Sequence, residues 1–195
     1  MTAKVLVVHT QKSLSYRVDK QSLDHLIDSA SLERDLARLK SVSLPKSGCW
    51  LNAIPSHSLG LHMKTKEFRV MSQYRLGMKV FRSSGPCSAC SSFSDCYGDH
   101  AIACASEGER ISRHNLLRDC IFQLASQAAL SPVREERAMI PGSNCRPADV
   151  YLRAWANGKD AALDVTVVSV LQKSLVAKAA DEAGSALIFA WDRRM

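Results

Sequence analysis

Four cysteines and a histidine lie within eighteen residues, in the segment CSACSSFSDCYGDHAIAC that begins at Cys87. Cys87 and Cys90 are separated by two residues, and this spacing lets one tight turn present both sulfurs to a single ion. His100 and Cys104 are separated by three residues, which is close to one helical turn. The whole pattern, C-x2-C-x9-H-x3-C, predicts a zinc site with these four ligands.

The same cysteines could instead be free thiols on a loop, and Cys96 could replace one of the four ligands. The chain has seven cysteines, so a complete intramolecular set of disulfides is impossible. The apolar run near the start, VLVV, is too short for a secretion signal. We therefore expect a nuclear or cytoplasmic protein that is not secreted. In these reducing compartments clustered cysteines bind metal more often than they form disulfides. A closed four-ligand zinc site would stabilise the loop and would not catalyse a reaction.

A hairpin signal lies further along the chain. Asn157-Gly158 favours a tight two-residue turn, and the segments RPADVYLRAWA and KDAALDVTVVSV lie on either side of it. If Ala156 faces Lys159 across this turn, the numbers of paired residues sum to 315. The sequence therefore predicts two antiparallel strands, the second of which continues through the apolar run that starts at Asp164.

Two aspartates take defined places in this predicted hairpin. In the assumed register Asp149 faces Thr166 and Tyr151 faces Asp164, so both aspartates share one face as diagonal neighbours about 7–8 Å apart. Two carboxylates at that separation can bind one Mg²⁺ between them. A slip of one residue would separate them, and the alternative is two solvated acids at strand ends.

The net charge of +7 and the isoelectric point of about 9.2 favour an anionic partner, and nucleic acid is the first candidate. The charge does not distinguish DNA from RNA, and the sequence does not indicate an oligomeric state. No run approaches the about 20 apolar residues of a membrane span, so we expect no membrane partner. Candidate phosphate contacts, which could equally be a solvated basic surface, are Lys79, Arg82, Arg110, Arg113, Arg118 and Arg146.

Helices and the hairpin must position these groups. Apolar periodicity predicts helices over 20–40, 65–77, 112–128 and 174–191, with Ser112 as the N-cap of the third and Gly77 at the end of the second. The order of helices, metal loop, helix, hairpin and helix predicts an α+β fold.

Several short motifs occur in one order: GCWLNAIPS, YRLGM, GDHAIAC, RHNLLRD, RPADVYLRAW and DVTVVSV. As an ordered set, from about Gly48 onward, they resemble the C-terminal part of the reverse-transcriptase-like proteins of non-LTR retrotransposons. The resemblance implies a CCHC zinc element followed by a restriction-like endonuclease of the PD-(D/E)xK type, which nicks target DNA to prime reverse transcription. It implies a helical segment over 1–85 (the tail of the reverse-transcriptase region), a zinc element over 86–105, and an endonuclease-like α/β core with a central hairpin over 106–195. Relatives continue further, so the resemblance also implies a truncated nuclease. It makes DNA the first expected partner and the element's RNA the second.

The resemblance matches residues of this chain to the zinc ligands, to the catalytic acids and to one recurring histidine. Cys87, Cys90, His100 and Cys104 match the zinc ligands. Asp149 and Asp164 match the catalytic acids that bind Mg²⁺, and Glu136, or less closely Glu135, matches an upstream acid. His114 in RHN matches a recurring position without an assigned role, and the alternative is a histidine at a helix start.

The catalytic cation is displaced in this sequence. Thr166 stands where the D-x-K motif carries lysine, and the resemblance implies a replacement from the last helix. Lys178 and Arg194 are the candidates, with Lys173 and Arg193 as alternatives. An arginine could stabilise charge but could not act as a base. The alternative functions are a zinc-dependent nucleic-acid-binding remnant without catalysis, or an inactive scaffold fragment.

Overall fold

The computed structural model describes residues 3–58, 60, 62–104, 106–136 and 148–193. The predicted mixed α+β fold is confirmed. The elements follow one another as α1 (Ala3–Ser29), α2 (Glu33–Val42), α3 (Thr65–Arg75), β1 (Gly85–Pro86), β2 (Phe93–Ser94), α4 (Asp99–Ala103), α5 (Glu109–Gln127), β3 (Val133–Arg134), β4 (Val150–Ala156), β5 (Lys159–Leu163), α6 (Val176–Asp181) and α7 (Ser185–Asp192), with short 3-10 helices at Cys49–Asn52 and Ser106–Gly108.

The chain forms two units. The first comprises Met1–Pro86, Phe93–Ala103 and Ser169–Met195, and the second comprises Cys87–Ser92 and Cys104–Val168. The C-terminal helices α6 and α7 therefore group with the N-terminal helices. Among the described residues we find no helix with both the length and the apolar character that crossing a membrane requires.

The core of the first unit forms where α2 meets α6. Ala37 of α2 and Ala179 and Ala180 of α6 are buried, together with Leu171. Small alanine side chains allow the two helices to approach closely, and van der Waals contacts then stabilise the pair. Lys40 also donates to the backbone carbonyl of Asp181 at 2.9 Å, so a polar contact accompanies the apolar one.

The predicted helix over 20–40 is two helices, because the chain is extended at Leu32 (φ −100°, ψ 132°). The Ser29 hydroxyl donates to Leu26 O at 3.1 Å, a bond that competes with helix continuation. The predicted helix over 174–191 is likewise interrupted, because Gly184 has a φ of 85°, which glycine adopts without a steric penalty. Gly77, with a φ of 73°, follows α3 as predicted.

The second unit contains an antiparallel sheet of order β3-β4-β5 with α5 packed against it. Val150 and Leu152 of β4 are buried against Ala125 of α5. The predicted helix over 112–128 is confirmed, but α5 begins at Glu109 and its N-cap is Gly108, so the prediction of Ser112 as N-cap was wrong.

The turn at positions 157 and 158 is confirmed, since Ala156 pairs with Lys159. The register assumed from it was wrong beyond the turn, because Leu152 pairs with Ala161. Between these two pairs β4 contains four residue steps, from 152 to 156, whereas β5 contains two, from 159 to 161. A bulge of two extra residues explains the difference. The predicted strand from Asp164 was also wrong, since β5 ends at Leu163.

Candidate metal centre and acidic cluster

The four predicted zinc ligands form a cluster. One ligand atom each from Cys87, Cys90, His100 and Cys104 lies within 4.8 Å of the others. Three thiols and one imidazole could bind a metal ion such as zinc, which prefers four such ligands in a tetrahedron. Cys96, the alternative ligand, is not part of this cluster, and among the described residues no other group of three or more potential metal ligands comes together.

A tight turn presents the first two cysteines. The Cys87 N–H donates to Ser92 O at 2.8 Å, and the Ser91 N–H donates to Cys87 O at 2.9 Å. Ser91 has a φ of 59°, in the left-handed region that glycine adopts most readily. Both cysteines therefore lie within a loop closed by its own backbone hydrogen bonds.

Asp95 positions the histidine ligand. Its carboxylate accepts backbone N–H bonds from Tyr97 at 2.9 Å, Asp99 at 3.1 Å and His100 at 2.8 Å. Burial alone would raise the pKa of Asp95, but the N–H groups of His100, Asp99 and Tyr97 lower the pKa below its ordinary value. Asp95 therefore satisfies the unpaired donors at the start of α4, the helix that carries His100.

An ion pair connects α4 to α2. The Arg34 guanidinium donates through Nε to Asp99 Oδ2 at 2.5 Å and through its terminal nitrogen to Asp99 Oδ1 at 2.9 Å. The same guanidinium lies 4.2 Å from the centre of the Tyr97 ring. Two-point pairing and ring contact restrict the guanidinium to one orientation, so Arg34 holds the residues next to His100.

Cys104 is the most buried ligand, with 8% of its surface exposed. The Ser106 hydroxyl lies 3.2 Å from Cys104 Sγ, and its hydrogen bond lowers the pKa of the Cys104 thiol. A lower pKa favours the thiolate, which is the form that binds metal. Arg113, predicted as a phosphate contact, donates to Cys104 O at 3.0 Å and so holds the backbone of this ligand.

A second cluster contains Asp149. Its Oδ2 accepts the Val165 N–H at 2.6 Å and lies 3.1 Å from His114 Nε2. On the β3 side, the Glu135 N–H donates to Asp149 O at 3.1 Å. On the β5 side, the Asp149 N–H donates to Leu163 O at 2.9 Å. Asp149 therefore joins α5, β3 and the segment that follows β5.

The corrected register changes the relation between the two aspartates. Val150 pairs with Leu163, and the Asp149 N–H donates to Leu163 O, so Asp149 lies near the end of β5 and not opposite Thr166 as assumed. On the other side, Arg134 pairs with Val150, which places Glu135 opposite Asp149. Glu135 and Asp149 are therefore neighbours, one directly after β3 and the other directly before β4.

The upstream acids make different contacts. Glu135 Oε1 accepts from Arg118 at 2.6 Å, and Arg118 also pairs with Asp119 at 3.1 Å. Glu136 Oε1 lies 3.9 Å from the Arg153 guanidinium. Glu135, the secondary choice from the sequence, is therefore the residue beside Asp149.

The sequence reasoning did not assign roles to His114 and Arg118 in this cluster. Both lie on α5, four residues apart, and half-buried Ile121 and buried Ala125 continue the same helical spacing. That spacing was the available signal. It indicates that the two polar side chains lie on the helix face that packs on the sheet.

The remaining predicted site residues are dispersed. Lys178 is exposed on α6 in the first unit, and Asp164 is exposed in the second. Lys79 and Arg82 are exposed in the first unit, just before the zinc segment. Arg146 and Arg194 lie outside the described residues.

Comparison with known proteins adds no relative. No protein-family model, no curated protein and no solved structure with which the chain was compared gives a match. The function therefore has to be argued from the side chains and their geometry.

Proposed function

We propose that this protein is a zinc-dependent nucleic-acid-binding module, derived from the reverse-transcriptase-like proteins of non-LTR retrotransposons. The observation that carries the proposal is the Cys₃His cluster of Cys87, Cys90, His100 and Cys104. Zinc bound there would supply structural cross-linking of the segment. Basic side chains of the protein beside this segment would contact the nucleic acid.

Two exposed cations support binding to an anionic polymer. Lys79 and Arg82 lie on either side of Val80 and Phe81, whose N–H groups both donate to Cys96 O at 2.9 Å. The basic stretch is therefore attached by backbone hydrogen bonds to the zinc segment. Together with the net charge of +7, this arrangement favours contacts to phosphates.

Fluorescence anisotropy with labelled DNA and RNA at several salt concentrations tests this proposal. We expect affinity to fall linearly on a logarithmic salt scale, and the combined Lys79→Ala and Arg82→Ala change to reduce the slope by about 1–2 for duplex DNA. Lys20→Ala, an exposed cation on α1, is the matched control and should leave the slope unchanged. An affinity that changes neither with salt concentration nor with zinc chelation would contradict the proposal.

A Mg²⁺-dependent DNA endonuclease is the second candidate. The proposed acids are Glu135, Asp149 and Asp164. The candidate is favoured by the backbone hydrogen bond from Glu135 to Asp149, which makes these two acids neighbours, because carboxylates provide the oxygen ligands that Mg²⁺ prefers. Bound Mg²⁺ would polarise the scissile phosphate and activate a water molecule. The backbone bonds of Asp149 hold its carboxylate, and Arg118 balances the charge of Glu135.

Nicking of supercoiled plasmid in the presence of Mg²⁺ distinguishes the two candidates. The endonuclease proposal expects nicking that Asp164→Ala abolishes and that Asp192→Ala, an exposed acid on α7, leaves intact. Nucleic-acid binding without nicking in the unchanged protein would leave the first proposal standing and contradict the second.

A further inference from the structure

The tip of the β4–β5 hairpin extends away from the core of the second unit. Leu152 is buried, but each residue from Arg153 to Asp160 is exposed. Trp155 lies in this tip with 53% of its surface exposed. Trp155 lies outside the core, and tryptophan is enriched at binding interfaces because its large ring has an apolar face and a polar N–H, so the ring is a candidate contact for a partner.

The tip has a fixed geometry. The bulge lies between Leu152 and Ala156, and Ala154 within it has a φ of 50°. The Asp160 carboxylate accepts the Ala154 N–H at 2.9 Å and also accepts a hydrogen bond from the Tyr151 hydroxyl. Bulges change the direction in which neighbouring side chains point. Asp160 therefore fixes the bulge that carries Trp155, so little ordering is required when the ring binds a partner.

The charges around Trp155 favour an anionic partner. Arg153, with 67% of its side chain exposed and its guanidinium 3.9 Å from Glu136 Oε1, lies two residues before the tryptophan, and exposed Lys159 lies four residues after it. Asp160 is the acidic residue of the tip, and its carboxylate is engaged by the bulge. Trp191 on α7, which is 67% exposed, provides a contrast: the exposed apolar residues Leu187 and Ile188 lie one helical turn before it, acidic Asp192 follows it, and Arg193 contacts the Phe189 ring.

We propose that Trp155 is a stacking platform for an unpaired base of a single-stranded nucleic acid, with Arg153 and Lys159 contacting the adjacent phosphates. An exposed aromatic ring combined with cations of the same surface is what single-strand-binding proteins use. Bases inside a duplex already stack on each other and leave no free face for the ring. The inference rests on the proposed nucleic-acid binding and names the ligand and the residues for it.

Anisotropy titrations with a labelled single strand and with its duplex test this assignment. Base stacking on an aromatic ring contributes about 1–3 kcal/mol, so Trp155→Ala should weaken single-strand binding about 5- to 150-fold. Binding of the duplex should change less than about twofold. Trp155→Phe should retain most of the affinity, whereas Trp155→Leu, which is apolar without a π-face, should lose it. Trp191→Ala is the matched control, and circular dichroism and zinc content verify the fold of each variant.

The outcomes separate the inference from the function on which it rests. If the unchanged chain binds neither single strand nor duplex, the nucleic-acid proposal fails and the stacking site fails with it. If it binds and Trp155→Ala weakens single-strand binding no more than Trp191→Ala does, only the stacking site is overturned. Equal losses for single strand and duplex also overturn it, since they indicate contact with the backbone or a groove.

Discussion

The metal centre and the acidic cluster both gather polar side chains, but they do so over very different distances in sequence. The four metal ligands fall within the eighteen residues from Cys87 to Cys104. The acidic cluster brings His114 next to Asp149, 35 residues later, and Asp149 next to the backbone of Val165. Short loops cost little entropy to close and leave few alternatives, so local spacing determines the first site, whereas packing determines the second.

One aspartate from each region, Asp95 and Asp149, shows the same contrast between local and distant partners. Asp95 accepts three N–H groups from residues two to five positions ahead, so its partners follow from local chain direction. Asp149 accepts one N–H from 16 residues ahead and contacts a histidine on another element. Such partners are available only after α5 has packed on the sheet.

Removal of a metal ligand should have the largest effect. Cys104→Ser is expected to abolish stoichiometric zinc binding, because the buried thiolate is one of only four ligands. Structural zinc contributes about 10–16 kcal/mol in small zinc-binding peptides, so the segment 87–104 should also lose its order. Metal analysis and amide hydrogen exchange measure the two consequences.

Cys96→Ser is the control for that experiment, since Cys96 lies in the same segment but outside the cluster. It should retain one zinc per chain. Loss of zinc in Cys96→Ser but not in Cys104→Ser would show that the ligand set is different.

Truncation of the buried residue Leu152 in β4 should destabilise the region of the acidic cluster and leave metal binding unchanged. Leu152, with 2% of its surface exposed, packs against α5, so Leu152→Ala should lower the free energy of unfolding by about 2–5 kcal/mol. Zinc content should stay at one ion per chain. Urea unfolding with parallel metal analysis checks this separation, and a coupled loss of zinc would break the comparison between the two regions.

Asp149→Ala should cost about 1–3 kcal/mol, because the Val165 N–H and the His114 ring lose their acceptor. Asp164→Ala, at an exposed position, should cost less in the same urea titration. A double-mutant cycle with His114→Ala isolates the coupling between the two side chains. A coupling energy near zero would show that the contact does not stabilise the cluster.

Asp95→Ala should give the smallest effect, about a tenfold loss of zinc affinity, because the start of α4 loses its acceptor while all four ligands remain. Competition with a chromophoric chelator measures it. Asp95→Ser can still accept one N–H as a helix cap and should lose less than Asp95→Ala. Equal affinities in all three proteins would mean that local capping does not position His100.

Different parts of the molecule were predictable to different degrees. The metal ligands follow from residue type and spacing, and α3, α5 and the turn at positions 157 and 158 follow from periodicity and turn chemistry. The register of β4 and β5 did not, because a bulge near Ala154 depends on the Asp160 carboxylate and leaves no signal in hydrophobic alternation. The neighbour of Asp149 was also missed, since Glu135 and Glu136 are adjacent and only β3 pairing distinguishes them.

By itself the sequence determined the α+β character, the Cys₃His ligand set and the hairpin turn, because each depends on residues within about one turn or loop of one another. The tertiary structure alone decided that Asp149 lies beside His114 and opposite Glu135. It also decided that α6 packs on α2, which is more than 130 residues away in sequence. These contacts depend on buried apolar surfaces such as Ala37 against Ala179, and many alternative pairings of such surfaces share the same local pattern.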